Sequence, residues 1–255
     1  MANSSIKTTL ALDLGNTALK YGVFTAAGLQ ESGVLAAPGE LGELWRRTQP
    51  EHAILASVAS EAEAQPWLHE LRDVVGRILP LRPGFTPVPL QNAYATPHTL
   101  GADRLAGAVG AGHLRPGQPT LVIDAGTALK FDLVADATYH GGSIAPGLRM
   151  RLRALHAFTG RLPLLELPAP VAAVQLIGDS TASSLLSGVL NGAVAEVNGL
   201  VADYRRRYPG LGLVLAGGDA AYLQPRLAAA PGFIFVVPEL VLIGLDRILR
   251  YNVDR

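Results

Sequence analysis

The chain has 255 residues, with 21 Lys and Arg against 21 Asp and Glu and a hydrophobic content of 49%. That composition excludes a disordered chain, and the even charge excludes a protein whose main partner is a nucleic-acid backbone, which needs clustered cations. Cysteine is absent, so disulfides, thiolate metal sites and cysteine nucleophiles are excluded, as suits a reducing compartment.

The length allows one large domain or two small ones. The first apolar run, Leu10 to Leu14, is interrupted by Asp13, and is shorter than the ~7–15 residues of a secretory core segment. The longest apolar stretch, Phe233 to Leu245, is broken by Pro238 and Glu239 and falls short of the ~18 residues of a membrane span. The expectation is a soluble, cytoplasmic chain with no membrane partner. Strands are expected at Leu10–Leu14, Ala53–Val58, Thr120–Ile123, Leu129–Val134, Leu213–Ala216 and Phe233–Val237, where β-branched and apolar residues run between turn formers. Helical patterns lie near Glu40–Arg47, Trp67–Ile78, Arg104–His113 and Leu148–Phe158. Such alternation predicts an α/β architecture.

The clearest helix follows Asp179-Ser180-Thr181, either of the first two being a natural N-cap. Leu186, Leu190, Ala193, Val197, Leu200 and Tyr204 recur at helical spacing and define one face, and Arg205, Arg206 and Arg207 complement the helix C-terminus. Gly188, Gly192, Ala195 and Gly199 form a second stripe of small residues. Each internal Gly costs about 1 kcal/mol against Ala, so the stripe predicts close approach of another backbone, from this chain or from a second subunit.

One internal repeat is visible. Leu12-Asp13-Leu14-Gly15-Asn16-Thr17-Ala18-Leu19-Lys20-Tyr21 echoes Ile123-Asp124-Ala125-Gly126-Thr127-Ala128-Leu129-Lys130-Phe131 with one residue deleted. Two strand–turn–strand units predict duplicated lobes, residues 1–115 and 116–255, with the boundary near Arg115-Pro116-Gly117. A carboxylate at the end of a buried strand needs a partner or a cation, and the following Gly permits a tight turn. Taken singly, Asp13-Leu14-Gly15-Asn16-Thr17 reads as a plain Asx turn. As a pair, the turns predict two phosphate-binding segments gripping one polyphosphate, with Asp13 reaching Mg²⁺. No Gly-x-x-x-x-Gly-Lys-Ser/Thr or Gly-x-Gly-x-x-Gly pattern occurs, which disfavours a P-loop or Rossmann site.

Gly101-Ala102-Asp103-Arg104 opens the helix at Arg104. Asp103 there is either an N-cap or a carboxylate that accepts a proton from a substrate hydroxyl, with Arg104 available to an anion. Gly141 to Gly147 reads as a glycine-rich turn leading into the helix at Leu148, a connector or a set of backbone donors for an anion, and Leu215-Ala216-Gly217-Gly218-Asp219 as a plain strand–helix turn or a strand end where paired glycines admit a flat base. Arg149, Arg151 and Arg153 share a helix as a solvated face or an anion contact. The six histidines show no His-x-x-x-His spacing, and no Gly-x-Ser-x-Gly elbow is present.

The ordered set of these motifs resembles the type III pantothenate kinases of the actin/sugar-kinase/Hsp70 superfamily. It comprises Asp13–Thr17, Tyr94…Pro97, Gly101–Arg104, Asp124–Ala128, Gly141–Leu148, Thr159…Leu162-Pro163, Gly178–Thr181, Ala216–Asp219 and Pro238–Leu245. The resemblance implies an α/β fold of two duplicated ribonuclease H-like, actin-like lobes with a nucleotide cleft between them, and ATP-dependent phosphorylation of pantothenate. It implies that Asp13, Leu14, Gly15, Asn16, Thr17, Ala18, Leu19 and Lys20 bind the nucleotide phosphates, with Asp13 near Mg²⁺ and Thr127 a second nucleotide contact. It implies that Asp124 binds a monovalent cation, K⁺ or NH₄⁺, that Tyr94, Gly101, Ala102, Asp103, Arg104 and Thr181 contact pantothenate, and that Asp103 is the general base. It also implies a homodimer. Two positions depart from the family pattern: Lys130 stands where a Thr or similar residue is usual, and Ala216 where Thr is frequent. Lys130 either adds a cation near the phosphates or points outward. Other small-molecule kinases of the superfamily, and a nucleotide-binding regulator without turnover, are the alternative readings.

Overall fold

The computed structural model describes residues 8–15, 18–57, 59, 61–74, 78–228 and 234–253. The chain divides into two compact units, the first drawn from Met1–Pro116, Ala137–His140 and Glu239–Arg255, the second from Gly117–Asp136 and Gly141–Pro238. Against the expected division at residue 115, residues 137–140 and the C-terminal segment from Glu239 fall with the first unit.

In the first unit, β1 (Thr9–Leu14), β2 (Leu19–Thr25) and β3 (Gly28–Leu35) form a meander, followed by α1 (Gly39–Thr48), β4 (His52–Ser57), α2 (Glu61–Val74) and β5 (Ile78–Pro80). Short β6 (Gln91–Asn92) and a 3₁₀ turn at Pro97–Thr99 lead to α3 (Ala102–Leu114). The sheet order is β3-β2-β1-β4-β5, with β1 antiparallel to β2 and parallel to β4. Leu10, Leu12, Leu14, Leu19, Leu41, Leu44 and Trp67 share one core, each fully buried Leu contributing about 1.5–3 kcal/mol. Helix α2 begins at Glu61, earlier than the pattern from Trp67 predicts, and runs through Pro66, a residue that removes one helical hydrogen bond.

In the second unit, β7 (Thr120–Ala125), β8 (Ala128–Ala135) and β9 (Thr138–Pro146) again form a meander, followed by α4 (Leu148–Ala157), α5 (Thr181–Arg207), β10 (Gly212–Ala216), α6 (Ala220–Leu223) and β11 (Ile234–Val236). Strands β9-β8-β7-β10-β11 lie in that order, with β7 antiparallel to β8 and parallel to β10. This reproduces the plan of the first sheet, so the short repeat seen in the sequence marks a repeated topology. The first residues of β9, Thr138 and Tyr139, belong to the first unit and pair with β6. Residues 141–146 continue β9 instead of forming the expected turn. A Cβ on Gly142 would overlap the Phe131 carbonyl oxygen and lie 3.2 Å from the Asp132 Cα, so glycine here permits strand contact with β8.

Helix α5 starts where the sequence predicts. Ser180 is the N-cap, its hydroxyl accepting from the Ser183 N–H while the Ser183 hydroxyl accepts from the Ser180 N–H; a cap of this kind contributes about 1 kcal/mol. Its buried line is Leu185, Val189, Leu190, Ala193, Val197 and Val201, and the predicted Leu186, Leu200 and Tyr204 flank it half-buried. By length and composition alone α5 is apolar enough to cross a membrane, but this line packs into the cores of the second unit. The stripe of Gly188, Gly192, Ala195 and Gly199 is exposed. No heavy atom lies within 4 Å of a Cβ built on Gly188, Gly192 or Gly199, so the expected backbone neighbour is not supplied by the described residues of this chain.

The last helix, α7 (Leu240–Val253), packs on α3 in the first unit. Gly110 and Gly244 make the crossing possible: a Cβ on Gly110 would lie 2.5 Å from the Leu240 carbonyl oxygen, and one on Gly244 would overlap that of Ala106. The Asp246 carboxylate accepts the Thr9 hydroxyl on β1 and the Arg250 Nε at 2.8 Å. Truncating one member of such a buried network leaves an uncompensated charge, which ties the end of the chain to its first strand.

Beside that network, His113 near the end of α3 is held below its usual value by burial first and by the Arg247 cation second, against the opposing pull of Asp246. As pH falls through about 6.5 the unfolded chain takes up this proton before the folded chain does, so stability falls there. Replacing His113 by Gln is expected to make the loss of unfolding free energy between about pH 7 and pH 5.5 shallower, read from urea midpoints. Equal slopes in the two proteins would contradict the assignment.

Candidate active site

The first turn joins β1 to β2. Asp13 ends the buried strand half-exposed, opposite Lys20 in the antiparallel register. Leu14 and Leu19 anchor the hairpin in the core, and the Gly15 N–H donates to the Ala18 carbonyl at 3.1 Å. Lys20 is exposed and Ala18 half-exposed, while Asn16 and Thr17 lie outside the described residues. Ser57, at the end of β4 and in register with Leu14, has a buried hydroxyl without a hydrogen-bond partner. Its signal in the sequence was only its place at a strand end.

The second turn, between β7 and β8, repeats this plan one residue shorter: the Gly126 N–H donates to the Ala128 carbonyl at 3.1 Å. Thr127 is exposed at the tip. Two loops brace the turn through backbone alone. The Gly147 N–H donates to the Thr127 carbonyl at 3.1 Å, and the Asp219 N–H donates to the Ala125 carbonyl at 2.8 Å. A Cβ on Gly147 would overlap the Gly126 carbonyl oxygen and lie 2.6 Å from that of Thr127. Gly217 has φ +88°, and a Cβ on it would stand 2.6 Å from the Asp124 Oδ1. Asp124 is paired across the strands with Lys130, whose Nζ is 2.7 Å from the Asp124 Oδ2. The two side chains are 22% and 17% exposed, so this charge-assisted contact is sheltered and worth about 1.5–3 kcal/mol. Lys130 therefore points at the acid instead of outward from its strand.

Asp219, 3% exposed, is paired with Arg149. Burial pushes its carboxyl up, against the lowering pull of the Arg149 cation. Arg151 donates to the Glu196 carboxylate at 2.5 Å and to the Pro146 carbonyl at 2.9 Å. Of the three arginines expected as a solvated face or an anion contact, Arg149 and Arg151 thus pair with acids of the second unit.

The alcohol-side residues of the first unit gather at the start of α3. Gly101, extended at φ −61° and ψ 132°, is the N-cap, and Asp103 lies in the first helical turn instead of capping it. The Asp103 Oδ1 accepts the Arg104 N–H at 2.9 Å, and the helix dipole favours its negative charge. A Cβ on Gly101 would lie 2.6 Å from this Oδ1, so glycine makes room for the carboxylate. Ala102 is buried, and Arg104 is 7% exposed with its guanidinium carbon 5.6 Å from the Tyr94 ring centroid. Tyr94 in turn stacks on fully buried Tyr139, centroids 6.0 Å apart, and its N–H donates to Asn92 Oδ1. The sequence reading missed Tyr139, because nothing in its neighbourhood shows that β9 returns to this unit.

Thr181 belongs to the second unit, exposed at the first turn of α5. With Leu155, Leu162, Asp179, Ser180 and Ser184 it lines an open pocket of about 790 Å³. Among the described residues no group of three His, Cys, Asp or Glu is arranged to hold a metal ion.

Comparison with known proteins supplies the context for these groups. The family model described as type III pantothenate kinase matches residues 9–203. A type III pantothenate kinase of Cytophaga hutchinsonii is 37% identical over 245 residues, covering 96% of this chain and 99% of the relative. One of Phocaeicola vulgatus is 39% identical over 246 residues, covering 95% and 98%. Among solved structures, the ROK hexokinase of Thermus thermophilus superposes with a TM-score of 0.54 at 16% identity, covering 97% of this chain and 99% of its own. That likeness shows the expected actin-like α/β fold.

Gly147→Ala is expected to lower the unfolding free energy by about 1–3 kcal/mol, because the new methyl displaces the Gly126–Thr127 turn. Gly160→Ala, where nothing lies within 4 Å of the Cβ, is expected to change it by less than about 0.5 kcal/mol. Equal denaturant midpoints for the two variants would show that the turn is not braced as described.

Proposed function

The chain belongs to the type III pantothenate kinase family, and we propose that it transfers the γ-phosphoryl group of ATP to the primary hydroxyl of pantothenate. The product is 4′-phosphopantothenate, the first intermediate of coenzyme A biosynthesis. The observation that carries the assignment of roles is Asp103, a carboxylate fixed by its own helix start next to a buried cation and an aromatic ring. Phosphoryl transfer asks little covalent chemistry of a protein and much positioning and charge neutralisation.

In this reading Asp103 accepts the hydroxyl proton as the alcohol oxygen attacks the γ-phosphorus. Its Oδ1 is anchored by the Arg104 N–H, so the carboxylate is oriented before substrate arrives. Arg104, clamped over Tyr94, supplies a buried cation suited to the carboxylate of pantothenate. Gly101 and Ala102 form the wall beside it, and the Thr181 hydroxyl adds a further polar contact. The segment Asp13 to Lys20 and Thr127 hold the phosphates of ATP with backbone N–H groups and hydroxyls.

Mg²⁺ suits the residues present. It commonly takes one or two carboxylates and completes its shell with water and substrate phosphates, so a half-exposed Asp13 at a strand end fits a metal that arrives with the nucleotide. When bound, Mg²⁺ offsets charge on the β- and γ-phosphates. A monovalent cation at Asp124 fits less well, since the Lys130 ammonium already engages that carboxylate. A homodimer joined along the exposed small-residue face of α5 and a cytoplasmic location complete the reading.

Asp103→Asn keeps the shape of the side chain and removes the proton acceptor. Its kcat for ADP release with pantothenate is expected to fall by about 10²–10⁴, with an unchanged melting temperature. Turnover within a few-fold of the parent enzyme would remove Asp103 from the base role.

A further inference from the structure

The second turn carries a feature that the duplicated hairpin plan does not require. Asp13 and Asp124 occupy equivalent strand ends, each opposite a lysine in the register. Lys20 is exposed, whereas the Lys130 ammonium reaches the Asp124 Oδ2 at 2.7 Å and is sheltered with it. The other oxygen, Oδ1, faces the backbone of Gly217, whose missing side chain permits the approach. The Asp124 carboxylate is thus held between a tethered cation and a loop strapped down by the Asp219 N–H.

An alkylammonium group is a compact monovalent cation with three donors. A dehydrated K⁺ or NH₄⁺ at the same carboxylate would have to share its oxygens with Lys130 and would stand beside a like charge in a sheltered place, where repulsion is little screened. The donor set implied for a mobile monovalent cation therefore disagrees with what this chain places there.

We propose that Lys130 is a resident replacement for the monovalent cation: its ammonium neutralises and positions Asp124, so that the enzyme needs no added K⁺ or NH₄⁺. The lysine touches the carboxylate and not the reacting atoms, so it is a positioning residue. The consequence for turnover rests on the kinase reading above; the consequence for ion binding does not.

The test compares the purified full chain in choline chloride with the same chain in KCl or NH₄Cl at equal ionic strength. For the unmodified protein, the melting temperature is expected to agree within about 1 °C across the salts, because an ion that binds only the folded state would raise it. ADP release with pantothenate is expected to agree within about twofold. Lys130→Met keeps most of the stem and removes the charge. In choline chloride its turnover is expected to fall about tenfold. KCl or NH₄Cl, but not further choline chloride, is expected to restore most of the loss and to raise its melting temperature.

A rise of more than about 3 °C in the melting temperature of the unmodified protein on exchange into KCl would overturn the proposal, as would activation by more than about fivefold. Full activity of Lys130→Met in choline chloride would overturn it as well. Absence of turnover in every salt would count against the kinase reading, and the melting comparison on the unmodified protein would then decide the cation question alone.

Discussion

Gly147 and Gly217 let two loops press their backbones against the turn at Gly126 and Thr127, and the geometry of this turn in the second unit follows from that contact. A side chain at either glycine would occupy the volume of a carbonyl oxygen or of the Asp124 carboxylate. With no side chains between them, the loops satisfy the Thr127 and Ala125 carbonyls through the Gly147 and Asp219 N–H groups. A turn braced through backbone hydrogen bonds has few ways to relax, which is what a phosphate-binding segment requires of its donors before the ligand arrives. The β7–β8 register sets Asp124 against Lys130 beside this contact, and Asp219 is buried against Arg149, so charge and backbone lie together.

The first unit reaches a comparable end by different means. Its equivalent hairpin is fixed by Leu14 and Leu19 in the core and by the register of β1 with β2 and β4. Helix α3, whose first turn presents Asp103, is backed along its middle by α7 through the close crossing at Gly110 and Gly244. Helix α7 is itself tied to β1 by the Thr9, Asp246 and Arg250 network. One chain end therefore supports both the strand that carries Asp13 and the helix that carries Asp103.

Much of this was legible in the residues. Strands β1, β4, β7, β8, β10 and β11 follow from apolar runs between turn formers, and α5 from its Ser180 cap and helical spacing. The Asp-x-Gly repeat announced a duplicated topology, because hairpin chemistry is local and survives in short motifs. What escaped depends on partners distant in sequence. The segment 141–146 reads as a turn from its glycines and is a strand because β8 leaves no room for side chains. The Phe233–Leu245 stretch gives no sign that everything beyond Pro238 packs with the first unit, since the Thr9 and Asp246 contact joins residues at opposite ends of the chain. Tyr139 and Lys130 are of the same kind: their roles come from a stacked ring and a cross-strand carboxylate, not from any motif around them.

Phosphorus NMR of the full chain with Mg²⁺, ATP and pantothenate follows the proposed transfer from ATP to the alcohol. A phosphomonoester resonance that grows in step with ADP and depends on pantothenate is expected. ATP hydrolysis to inorganic phosphate alone, or no loss of the γ-phosphate signal, would contradict it.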